Sequence, residues 1–194
     1  MLLLVPLTPA AADWLFRQEL IGEPHRDRFS VCFDHSCRSI VTRAFSRREW
    51  QRIAAAMQQP APDSASERMA IAYTIAIMEQ VIGEKTGTAG DQGGNMAGFG
   101  RPGQMDCIDE SNNTTTYLKL LQQDGLLNFH KVMDRSTRFG LFAGMPHTTA
   151  VIRDVAGRED YAVDSWFFDN GKPPAIVELQ VWKAGWRPDD ELHE

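Results

Sequence analysis

The apolar pattern of this chain changes period once along its length, and that change constrains the fold more than any other feature. Up to about Gln123 apolar residues recur at helical spacing; from about Phe139 they come in short runs rich in β-branched and aromatic residues. Ser46-Arg47-Arg48-Glu49 has the form of a capping box, and Trp50, Ile53 and Met57 follow on one face. The spacing predicts a helix over 47–58, ended by Pro60 and Pro62. Ser64-Ala65-Ser66-Glu67 offers a second capping box before Ile71, Ile75, Met78 and Ile82, the apolar face of a long core helix. A third helix is expected from near Asp106 to about Gln123, with Leu118 and Leu121 inward and Gly125 as its stop. Strands are expected at Phe139-Gly140-Leu141-Phe142, Thr148 to Arg153, Tyr161 to Phe167 and Ile176 to Trp182, with turns at Gly157 to Asp160 and at Asn170-Gly171. Before the helices, 10–18 permits a short helix, and Phe29 to Ala44 suits strands or an extended loop. Helices first and an antiparallel sheet afterwards make an α+β layout.

With 194 residues, 43% of them apolar, the chain fills one core, so residues 13–194 are expected to form a single domain. Residues 1–12, Met1 to Ala12, read as the tail of a secretory signal, an apolar run followed by small residues, or as an apolar segment packed on the domain. The first reading places the protein in the periplasm or outside the cell, the second in the cytoplasm. No stretch approaches the roughly 20 apolar residues of a membrane span. A net charge of -6 argues against nucleic acid as partner, and Arg43, Arg47, Arg48 and Arg52 read as a solvated helix face.

Of the three cysteines, Cys32 and Cys37 are close enough to form a disulfide in an oxidising compartment, leaving Cys107 as the free thiol. A zinc reading of Cys32, His35 and Cys37 crowds three ligands into six residues with no second cluster to complete the site. Eight glycines between Gly83 and Gly103 mark a loop. It lacks the preceding strand and the Gly-Lys-Ser/Thr ending of a phosphate cradle, so it reads as a connector or as a substrate-facing loop beside Cys107.

Cys107 is expected in the first turn of the third helix, where unpaired N–H groups and the helix dipole favour a thiolate. His147 precedes a predicted strand and Asp164 lies in the next one, so a hairpin would bring imidazole to carboxylate. His147 would then take the thiol proton and return it to a leaving group, while Asp164 fixes the ring tautomer. Asp169 and Asn170 are lesser candidates for the third position. Gln104 is the nearest side-chain amide for an oxyanion, Trp166 a candidate substrate wall, and Trp182 and Trp186 core or cleft walls. Asn112 and Asn113 head glycosylation-like triplets but fall inside the third helix, and His130 reads as structural.

Asp106-Cys107-Ile108-Asp109 resembles the Asp-Cys-x-Asp nucleophile motif of the bacterial transglutaminase-like cysteine proteinases, with Met105 where that family usually has Gly. His147 with its apolar strand, and Tyr161-Ala162-Val163-Asp164, are similar to that family's His and Asp segments, so the resemblance covers about 103–170. It implies a papain-like or transglutaminase-like fold and a Cys107–His147–Asp164 triad acting through an acyl-enzyme on a protein or peptide. The same apparatus with an amine acceptor is a transglutaminase or amidotransferase; a non-catalytic scaffold of the same fold is the third reading. No cofactor is expected, but the resemblance brings in calcium, with Asp106 and Asp109 as its candidate ligands.

Overall fold

Four helices and two antiparallel sheets make up the computed structural model, which describes residues 20–57, 61–95, 100–141 and 145–188. The segment 1–12 and the helix expected over 10–18 lie outside the described residues. Strands β1 (Phe29–Phe33) and β2 (Ser39–Arg43) form a hairpin, followed by helices α1 (Arg47–Met57), α2 (Ser64–Thr86) and α3 (Cys107–Gln123). Then come β3 (His130–Leu141), β4 (Met145–Asp154), β5 (Asp160–Asp164) and β6 (Ala175–Glu178), an antiparallel meander in sequence order, and helix α4 (Leu179–Lys183). The class is α+β.

Alternation along the meander gives each sheet face its own core. Ala150, Ile152 and Val163 face Ile71, Ile75, Ile82, Leu118 and Leu121 of α2 and α3, together with Phe29 and Val31 of β1. Burying each of those large side chains stabilises the fold by about 1.5–3 kcal/mol. On the opposite face Val151 and Ala162 pack with Leu179, Trp182 and Trp186. The sheet is thus held between the helical layer and α4, and the end of β4 nearest the start of α3 carries His147.

The capping box at Ser46 forms as read, the Ser46 N–H donating to Glu49 and the Glu49 N–H to Ser46 Oγ. The second box does not form. Asp63 caps α2 instead, accepting the Ser66 N–H at 2.7 Å, because a carboxylate one residue earlier is available to the same orphan donors. Glu67, released from capping, is buried and accepts the Asn128 N–H, the Phe129 N–H and His130 Nδ1, fixing the start of β3 and giving His130 its structural role.

Gly83 belongs to α2 and not to the loop: a Cβ there would come within 2.7 Å of Asn170 Nδ2 and 3.0 Å of Ala89 Cα. The strand expected over Ile176 to Trp182 is cut at Glu178, where the chain turns into α4 so that Leu179 and Trp182 reach the sheet face from one helical side. Likewise β5 ends at Asp164, and Trp166 lies in the following turn and not at strand spacing. No helix among the described residues is long and apolar enough to cross a membrane.

Candidate active site

Asp106 caps α3: its Oδ1 accepts the Ile108 and Asp109 N–H groups at 3.0 Å, and the Asp109 carboxylate returns to the Asp106 N–H at 3.1 Å. The Glu110 N–H bonds to Asp106 O, which leaves the Cys107 N–H as the first-turn donor without an acceptor among the described residues. Both carboxylates also receive the 32–37 loop. Asp109 accepts the His35 N–H at 2.8 Å and the Cys37 N–H at 2.6 Å, and Asp106 accepts the Ser36 N–H and hydroxyl. That loop is closed by the Cys32–Cys37 disulfide and runs through four successive positive-φ residues, Asp34 to Cys37. Non-glycine residues adopt this conformation at a cost, which the disulfide and the carboxylate contacts offset.

The zinc reading changes accordingly. The side chains brought together are Cys32, Cys37 and Asp109, with Asp109 in the place expected of His35, and both sulfurs are committed to the disulfide. Calcium fits Asp106 and Asp109 poorly, because all four of their oxygens already accept N–H donors and the ion requires six or more oxygen ligands.

Cys107 Sγ lies 4.0 Å from Pro146 O and also meets the Thr148 N–H, so the strand backbone on either side of His147 flanks the thiol. His147 Nε2 bonds to Asp164 Oδ2 at 2.7 Å, with both side chains buried. The imidazole is walled by aromatic rings, Trp166 at 4.9 Å, Phe167 at 5.3 Å and Trp182 at 5.5 Å between centroids. With Nε2 on the carboxylate, Nδ1 is the nitrogen left for a proton from sulfur. Burial first, and then the charges of Asp106, Asp164 and Asp109, push the Cys107 thiol up to about 12 against the opposing Thr148 N–H. Desolvation and three nearby carboxylates thus oppose the thiolate that the helix terminus favours.

Asp164, not Asp169 or Asn170, is the acid on His147. Asp169 accepts the Gly93 N–H, and the Asn170 N–H donates to Asp91 O. These bonds stitch the glycine-rich loop to the turn after β5, as does the Gly94 N–H on Trp166 O at 2.7 Å. Gly93 is required there, since a Cβ would sit 2.5 Å from Phe167 O. Gln104 braces the same loop: Nε2 donates to Gly90 O at 3.0 Å, while Oε1 accepts from Asn95 Nδ2 and the Gln92 N–H. Its amide oxygen and one amide hydrogen thus serve the loop. Trp166 is buried against His147 and gives its N–H to Asp164 Oδ1 at 3.3 Å, so it is a wall of the imidazole.

Sequence reasoning placed Trp182 among core or cleft walls and missed its part here: its indole N–H donates to Asp164 Oδ2 at 2.7 Å. The spacing of Leu179, Trp182 and Trp186, three and then four, was the available signal for a buried helical face. Comparison of the chain with family models, with curated proteins and with solved structures returns no match.

Proposed function

We propose that this protein is a cysteine hydrolase of amide bonds, a peptidase with a Cys107–His147–Asp164 triad on a transglutaminase-like or papain-like fold. The observation that carries the reading is the buried 2.7 Å bond from His147 Nε2 to Asp164, on a strand whose backbone flanks the helix-start sulfur of Cys107. An imidazole oriented by a buried carboxylate, on the strand whose backbone meets the thiol, is what a cysteine nucleophile needs. The resemblance of Asp106-Cys107-Ile108-Asp109 to the transglutaminase-like proteinases adds to it.

In the reaction Cys107 Sγ attacks the scissile carbonyl carbon as its proton passes to His147 Nδ1, and the Cys107 N–H, with Gln104 as the candidate side-chain donor, stabilises the oxygen that gains charge. The imidazolium, held by Asp164, then protonates the amine, and the C–N bond breaks to leave an acyl-enzyme. Water activated by the same ring cleaves the thioester and returns the proton to sulfur. Because the resting thiol is protonated, base-assisted attack within the substrate complex replaces a preformed ion pair. The Cys32–Cys37 disulfide supports an oxidising compartment, periplasmic or secreted.

The test is incubation of the protein with a proteome-derived peptide library and a biotinylated alkylamine, followed by mass spectrometry. New peptide termini, absent with Cys107→Ala and with His147→Ala, are expected. Amine adducts in their place would make the enzyme a transferase. No product with either acceptor, together with no acyl adduct on Cys107, would leave the scaffold reading.

A further inference from the structure

The third member of the triad is held by more than the histidine it serves. Asp164 Oδ2 accepts two hydrogen bonds at 2.7 Å, from His147 Nε2 and from the Trp182 indole N–H, whereas Oδ1 accepts a longer one at 3.3 Å from the Trp166 backbone. The terminal torsion of an aspartate is soft, so one hydrogen bond does not fix the plane of its carboxylate. Two donors converging on one oxygen, with a third on the other, do fix it.

The indole is itself locked. Trp182 is fully buried between Leu179 and Trp186 on the α4 face of the sheet, and its ring lies 5.5 Å from that of His147. The Arg138 guanidinium stacks 4.3 Å from the centre of the Trp182 ring and donates to Trp182 O and, at 2.9 Å, to Trp186 O. Trp182 O belongs to the last turn of α4, where a cation is favoured, and Trp186 O lies just beyond the helix. Arg138 is also the residue directly opposite His147 in the β3–β4 ladder, so a single rung carries the imidazole and the cation that clamps its neighbour.

We infer that Trp182 is a positioning residue of the triad, acting through Asp164, and that Arg138 fixes it from behind. The indole N–H sets the direction in which Asp164 presents its oxygen to His147 and so the orientation of the imidazole. The reaction in which this operates rests on the proposed function; the hydrogen-bond relay itself does not.

Substitution of Trp182 by 3-benzothienyl-alanine keeps the bicyclic shape and removes the donor, and Trp182→Phe removes donor and volume together. Two readouts apply: the low-field proton resonance of His147 Nε2–H, and kcat and KM on a peptide cleaved by the wild type. The isostere is expected to shift or broaden the resonance and to lower kcat by about 10- to 100-fold, the effect of losing one hydrogen bond to a charged group, with KM within about twofold. Arg138→Lys, which keeps the charge but not the fork, is expected to lower kcat in the same direction. An unchanged resonance and unchanged kcat in a folded isostere would overturn the inference. If the wild type cleaves nothing while the resonance still responds to loss of the indole N–H, the positioning role stands and the peptidase reading falls.

Discussion

Cys107 sits at a helix start that favours its anion and in surroundings that oppose it. Burial, the largest influence, together with Asp106, Asp164 and Asp109 raises the thiol to about 12 against the single Thr148 N–H. Alkylation by iodoacetamide at pH 7 should therefore be slower than that of free cysteine and should climb steadily through the alkaline range. Asp106→Asn removes one of those charges while keeping a side-chain oxygen for the cap. If it lowers the thiol by up to one unit, alkylation should rise by up to about tenfold. Rapid labelling at mildly acidic pH in the wild type would show a thiolate–imidazolium pair and contradict base-assisted attack. The place of Cys107 in the first turn of α3 was readable from the sequence, whereas His147, expected ahead of its strand, lies two residues inside β4. The protonation state was not readable, because it depends on carboxylates and burial that only tertiary packing supplies.

At the scale of elements, α1 and α3 were legible to within a residue or two, since Ser46 with Glu49 states the start of α1, and Leu118, Leu121 and Gly125 give α3 its face and its stop. Helix α4 was hidden because Ile176 to Trp182 reads as a strand until Leu179 and Trp182 are seen to need one side of a turn. Glu67 misled because a capping box and a buried ion-pair acid have the same local sequence. The join between α3 and β1 was equally invisible: Asn113, buried in α3, accepts the Cys32 N–H and donates to Cys32 O, each at 2.8 Å. This amide pairs both backbone groups of a fully buried residue beside the disulfide. Asn113→Ala leaves a donor and an acceptor without partners, at about 1–3 kcal/mol each. For a chain of this size a loss near 3 kcal/mol lowers Tm by about 10 °C. A calorimetric change below about 0.5 kcal/mol would mean that water replaces the amide and that the join is not structural.

Across the whole molecule, the helical layer meets the loops around the site through buried acids. Burial is the leading cause that raises Glu79 and Asp91 to about 7, Asp109 to about 8 and Glu110 well above the ordinary carboxyl range. Glu79 accepts the Gly171 N–H and Asp91 accepts the Met105 N–H, so the first ties α2 to the chain after β5 and the second ties the glycine-rich loop to the residues before α3. In the unfolded chain the same groups release their protons near pH 4. Between about pH 4 and pH 8 the folded state therefore holds protons that the unfolded state has lost, and each such group makes stability fall as pH rises. The stability that these groups contribute is complete below about pH 4 and is lost as pH passes through about 7 to 8. Glu67 works the other way. Despite burial, its bonds from His130, Asn128 and Phe129 hold it below the usual range, so its contribution is present above about pH 4 and lost in acid. The two trends place the maximum on the mildly acidic side of neutrality, and Tm should fall between pH 5.5 and pH 8.5. Glu110→Gln, which keeps the shape and cannot ionise, should reduce that fall in thermal melts across the same range. A wild-type Tm that is flat or rises toward pH 8.5 would show that the cluster ionises in the folded protein without cost, and the account of burial as its dominant influence would be lost.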